Sequence, residues 1–162
     1  MTVPRDHPGV IAPPPLLALA VVILGLLMDW LLPAYLLGVM LSWGTRILLG
    51  LELIGAGVAL IVIAMRAFRA AGTHLEPWKP STALVATSVY RYVRNPIYVG
   101  MILILAGLAF LLASDWMLVF TILFVPAIHY GVVMREERYL AAKFGEGYRR
   151  YVATVPRYGV KI

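Results

Sequence analysis

The chain alternates long apolar runs with short polar clusters, and the run lengths carry the first structural reading. Leu16 to about Leu32 is apolar except for Asp29 near its far end. Arg46 to Phe68 carries one internal acid, Glu52, close enough to the interface to be hydrated. From Pro96 to Met134 the chain is nearly continuous apolar sequence, broken only at Ser114-Asp115-Trp116. At about 1.5 Å per residue, runs of roughly 17–23 residues match a hydrocarbon core of about 30 Å. The pattern predicts an all-α polytopic membrane helix bundle of about four transmembrane helices, spanning residues 16–32, 46–68, 97–113 and 116–134. The last two form a helical hairpin around a tight polar turn.

The intervening segments differ in kind. Residues 1–15 are rich in Pro and polar groups and read as an irregular lead-in. Pro33 to Trp43 reads as a helix end plus an interfacial loop. Residues 69–95 are punctuated by Gly and Pro and cannot cross lipid, because their backbone would leave polar groups unpaired in hydrocarbon. Residues 135–151 read as a C-terminal amphipathic helix interrupted at Phe144-Gly145. Residues 1–162 are expected to form one domain, with no room for a second.

Charge then sets the orientation. With four spans and the N-terminus inside, one side of the membrane holds Arg5, Arg66, Arg69, Lys79, Arg91, Arg94, Arg135, Arg138, Lys143, Arg149, Arg150, Arg157 and Lys161, and the other only Arg46. Thirteen against one predicts a multi-pass protein of the cytoplasmic (inner) membrane with both termini in the cytosol. Composition agrees: 62% of residues are hydrophobic and 14% charged, with a mean hydropathy of +0.87. The net charge of +6 sits mostly beside apolar runs, where it orients the chain and meets anionic lipid, so nucleic acid is not an expected partner. No cysteine is present and the three histidines are scattered, so no metal centre is expected. The first apolar run follows Pro13-Pro14-Pro15 and lacks a small-residue cleavage pattern, unlike a signal peptide.

Two polar clusters fall at the same membrane edge. In Tyr90-Arg91-Tyr92-Val93-Arg94-Asn95-Pro96-Ile97-Tyr98, Asn95 can cap the third span and Pro96 takes its first helical position. The helix N–H groups and two arginines together can receive a carboxylate or phosphate, although the same residues would also serve as a juxtamembrane anchor. The second cluster, Arg135-Glu136-Glu137, ends the fourth span, where paired acids oppose the helix dipole and need a partner. His129 lies seven residues before Glu136, which on a regular helix puts both on one face, about 10 Å apart. An intramembrane His is a functional candidate, or a hydrogen bond between helices. Gly55-Ala-Gly57 on its own fits close helix packing.

These residues resemble a known family. Leu84-Val85, Tyr90, Arg94-Asn95-Pro96-x-Tyr98-x-Gly100, Glu136-Glu137, Phe144-Gly145, Tyr148, Tyr151 and Val155-Pro156-Arg157 are arranged as in the isoprenylcysteine carboxyl methyltransferases. The wider superfamily includes phospholipid methyltransferases. The resemblance implies S-adenosylmethionine as cofactor and a lipophilic, membrane-embedded acceptor. It implies cofactor contacts at Leu84, Val85, Tyr90, Arg94, Asn95, Pro96, Tyr98, Glu136 and Glu137, and at Gly55 and Gly57 as a G-x-G. Glu136, Arg135 and His129 are the catalytic candidates. Two departures stand out. Asn95 replaces the usual His of the isoprenylcysteine enzymes, as in the phospholipid branch. Val132 stands one turn before Glu136, where those enzymes carry an Arg for an acceptor carboxylate, so a lipid amine or small lipophilic acceptor is favoured over a carboxylate. The alternatives are an NADPH-dependent membrane reductase of steroid-reductase-like type and a non-catalytic membrane protein on the same scaffold.

Overall fold

The computed structural model describes residues 8–73 and 80–159. Arg5, Lys79 and Lys161 of the charge tally therefore lie outside the described residues. Within them every regular element is a helix or helical turn: α1 (Pro14–Leu31), α2 (Leu36–Met40), α3 (Trp43–Ala70), a 3-10 turn (Ser88–Arg91), α4 (Pro96–Leu112), α5 (Asp115–Ile128), a π turn (His129–Val133) and α6 (Met134–Thr154). The helices α1 and α3 and the continuous α5–α6 run are long and apolar enough to cross a membrane, and α4 is a shorter apolar helix. Large apolar side chains such as Leu16, Ile23, Leu48 and Ile122 are more than half exposed, as expected where lipid rather than water is the surrounding solvent. The protein is a helical membrane bundle.

Spatial order departs from chain order. α3 and α4 run antiparallel and in close contact because glycines face each other in two pairs. A Cβ on Gly57 would stand 2.6 Å from the Gly100 carbonyl oxygen, and one on Gly50 would stand 2.8 Å from that of Gly107. The pairs are seven residues apart on each helix, so two smooth backbone tracks meet where any larger residue would force them apart. α1 instead packs on α5, where Gly25 is the point of closest approach: a Cβ there would lie 2.8 Å from Met117 Cα. Val21, Leu105, Met117, Phe124, Ile128, Val132 and Val133 form the core between these helices.

The hairpin turn holds the end of the bundle formed by the start of α3 and the end of α4. Ala113 adopts the left-handed conformation and Ser114 Oγ accepts from Met117 N at 3.0 Å, which starts α5 at once. Asp115 reaches back to accept from Leu36 N and Leu37 N, both at 2.9 Å. Trp116 Nε1 donates to Leu32 O at 2.6 Å. The expected loop at 33–43 thus contains the short helix α2, whose first amides are satisfied by a carboxylate 79 residues away in sequence. The second span is also longer than expected, because Ser42 caps it by accepting from Thr45 N.

Two irregularities shape the other end. Pro126 cannot donate a backbone hydrogen bond, and the helix widens shortly after it into the π turn, where Met134 N bonds to His129 O. The extra residue in that turn changes the helical phase between His129 and Glu136. Gly145 (φ 52, ψ −121) bends α6 at the expected Phe144-Gly145 break and turns its second half back toward the bundle.

Candidate functional site

The bend of α6 creates a cleft at the end of the bundle where α3 stops and α4 begins. About 810 Å³ of space, counting its open mouth, lies between the end of α3, the 81–85 segment, the 3-10 turn, the start of α4 and both halves of α6. Of the residues named from sequence, Leu84, Val85, Tyr90, Arg94, Asn95, Pro96, Tyr98, Glu136 and Glu137 line it. The 20 residues from Asp115 to Met134 already account for about 30 Å of helix. Glu136 therefore follows a length of helix that matches a hydrocarbon core.

Each wall has a local cause. Tyr90 is buried edge-on against Phe68, ring centroids 5.3 Å apart, and its backbone carbonyl accepts from Tyr151 Oη at 2.7 Å. That bond ties the 3-10 turn to the returning half of α6. Pro96 opens α4 as expected, but Asn95 does not cap it. Its amide donates to Arg157 O at 3.3 Å, since the backbone amides of Arg94 and Asn95 pair with Pro156 O and Arg157 O. Of the two arginines beside this helix start, Arg91 faces solvent and Arg94 is mostly enclosed.

The electrostatics of the cleft are divided between two walls. On one, Tyr98 Oη donates to Glu136 Oε1 at 2.7 Å. Burial raises the Glu136 carboxyl from 4.5 to about 7, opposed by the Tyr98 hydrogen bond and reinforced by Glu137. On the other, Arg157 grips Glu137 with both prongs, Nε to Oε1 at 2.9 Å and Nη2 to Oε2 at 2.6 Å. Arg94 Nη1 shares Oε1 at 2.9 Å, while Arg94 Nε is buried with no hydrogen-bond partner. Two cations and one anion leave this wall with one net positive charge. Burial also raises the hydroxyls of Tyr90 and Tyr151, and that of Tyr148 to about 12, so these hydroxyls stay neutral.

Four of the sequence candidates lie elsewhere. His129 Nδ1 and Tyr158 Oη share a hydrogen bond at 2.8 Å, and His129 does not line the cleft. Arg135 Nη1 donates to Gly9 O at 2.8 Å and anchors the N-terminal segment. Gly57 is covered by α4, and Gly55 faces open space on the outside of α3. Neither glycine lines the cleft. Conversely, Phe68, Ser81, Tyr139 and Leu140 do line it without having been singled out. Tyr139 and Leu140 follow Glu136 by three and four residues, so helical spacing alone places them on its face.

This arrangement can hold a molecule that is anionic at one end and cationic or hydroxyl-bearing at the other, against an aromatic and aliphatic floor. A family model described as phospholipid methyltransferase matches residues 45–147, which is 103 of the 162 residues. No curated protein and no solved structure matches the chain. The matched stretch contains both glycine pairs and most of the cleft, Glu136 and Glu137 included. The chain is thus an integral membrane protein and belongs to the phospholipid methyltransferase family.

Proposed function

We propose that the chain, acting as a single domain, transfers a methyl group from S-adenosylmethionine to an amine on a lipophilic acceptor in the membrane. The observation that carries this reading is the division of charge in the cleft, with a carboxylate on one wall and a net cation on the other. The residues fit the cofactor. Arg94 Nε is a buried donor without a partner, suited to the cofactor carboxylate. Glu136 suits its ammonium or ribose hydroxyls, and Leu84, Val85 and Tyr90 offer surface to its adenosine. Bound there, the cofactor would supply a methyl activated on a sulfonium, with the neutral thioether as leaving group, and the acceptor amine would take the methyl and lose a proton to solvent. The chain's own contribution is alignment of the reactants and exclusion of water.

The acceptor follows from what is missing near Glu136. Val132 is fully buried in the core, and Arg135 is engaged with Gly9. No cation stands one turn before Glu136 to hold an acceptor carboxylate. The cationic residues cluster at the cleft end, while Arg46 lies at the opposite end of α3, which supports a cytosol-facing site in the cytoplasmic membrane. Incubation of the purified protein with methyl-labelled S-adenosylmethionine and native membrane lipid is expected to label an amine headgroup, and Glu136→Ala to abolish the label. A labelled carboxyl ester would refute the acceptor assignment. Absence of any label, with no saturable cofactor binding, would refute the activity.

A further inference from the structure

The family match ends at residue 147, yet the cleft is completed by residues beyond it. Val155–Tyr158 crosses the start of α4 as a strap, with Arg94 N bonded to Pro156 O at 3.0 Å and Asn95 N to Arg157 O at 3.2 Å. Arg157 does not line the cleft. We infer that Arg157 is a positioning residue that occupies Glu137 so that Arg94 remains available to a ligand carboxylate, a role that rests on the proposed cofactor.

The geometry supports this division of labour. A carboxylate offers its best binding edge to one guanidinium fork at a time. Arg157 takes that edge of Glu137, with one bond to each oxygen. Arg94 is left with an end-on ion pair to a single Glu137 oxygen and a hydrogen bond with the Tyr148 hydroxyl, while its Nε is unpaired. Without Arg157, Glu137 would be free to take both prongs of Arg94. The wall would then change from one net positive charge to neutral, and the donor would be spent inside the protein. The side chains of Arg94 and Glu137 are 9% and 16% exposed, so water competes weakly for them.

The test uses two ligands that differ at the inferred contact. S-adenosylhomocysteine carries the amino-carboxylate, whereas methylthioadenosine keeps the adenosine and sulfur without it. Titration calorimetry on the full chain in detergent is expected to show Arg157→Gln weakening S-adenosylhomocysteine by roughly tenfold, the size of one charge-assisted hydrogen bond. Methylthioadenosine affinity stays constant, which also shows that the cleft is intact. Arg157→Lys, which keeps the charge but not the fork, recovers part of the loss. Equal weakening of both ligands would make the strap a structural clamp only and overturn the inference, as would unchanged S-adenosylhomocysteine affinity in both variants. If the wild-type protein bound neither ligand, the cofactor reading itself would fall and the inference with it. Wild-type binding that is indifferent to residue 157 would sink the inference alone.

Discussion

Glu136 makes the ligand-free protein less stable as the pH rises, and the size of the effect follows from its surroundings. Its carboxyl titrates at about 7 in the folded chain, against an ordinary value of 4.5. Below 4.5 it is protonated in both folded and unfolded states and contributes no pH dependence. Between 4.5 and about 7 the unfolded chain gives up the proton while the folded chain keeps it, so stability falls with each step of pH. Above 7 both states are ionised and the decline stops. At about 1.4 kcal/mol per pH unit the full loss is about 3 kcal/mol. The assay is thermal unfolding in detergent from pH 4.5 to 8, read as the difference between wild type and Glu136→Gln so that other titrating groups cancel. Wild-type Tm is expected to fall relative to the variant across that window. Tyr98→Phe removes a hydrogen bond that holds the carboxyl down, so the window should extend to higher pH. S-adenosylhomocysteine, whose ammonium favours the ionised carboxylate, should stabilise the protein more at pH 8 than at pH 5.5. A Tm difference that is flat, or that grows in favour of wild type as pH rises, would refute the placement of Glu136 in an enclosed, cation-seeking wall.

Four further outcomes are expected. Gly57→Ala pushes a methyl into the Gly100 carbonyl and should cost about 1–3 kcal/mol in denaturant unfolding. Gly55→Ala meets open space and should be neutral or stabilising by up to about 1 kcal/mol, with cofactor affinity unchanged. Asp115→Ala strands the Leu36 and Leu37 amides and should lower stability by about 2–3 kcal/mol, with Asp115→Asn recovering part of the loss in the same assay. Val132→Arg places a charge in the core and should prevent recovery of folded protein in size-exclusion chromatography; a folded variant that methylates carboxylates would disprove the packing argument.

Much of the bundle was legible because lipid imposes a length on every crossing segment. The helices at Pro96–Leu112 and Asp115–Ile128, the turn between them and the break at Gly145 all follow from apolar run length and from residues that punctuate it. The start of α4 was legible in Pro96 for the same local reason. What could not be read depends on partners distant in the chain. α2 exists because Asp115 satisfies its amides, and Asn95 gives up its capping role because the strap arrives at Arg157. The π turn between His129 and Glu136 has no unambiguous sequence mark; Pro126 is its nearest sign. The role of Gly57 is visible only once Gly100 stands opposite it.

The contacts of Asp115 and Trp116 also bear on how the chain enters the membrane. Segments are delivered in order from the N-terminus, so α1 and the α2 region arrive first, with the Leu32 carbonyl and the Leu36 and Leu37 amides still lacking their protein partners. Those partners emerge only after about 80 further residues have been synthesised. Until then water or lipid headgroups must serve these groups, and α1 has no α5 to pack against. The N-terminal helix is therefore a lodger in the bilayer before it is part of the bundle. Completion of the fold waits on insertion of the α4–α5 hairpin, and truncation before residue 115 should leave α1 open to degradation.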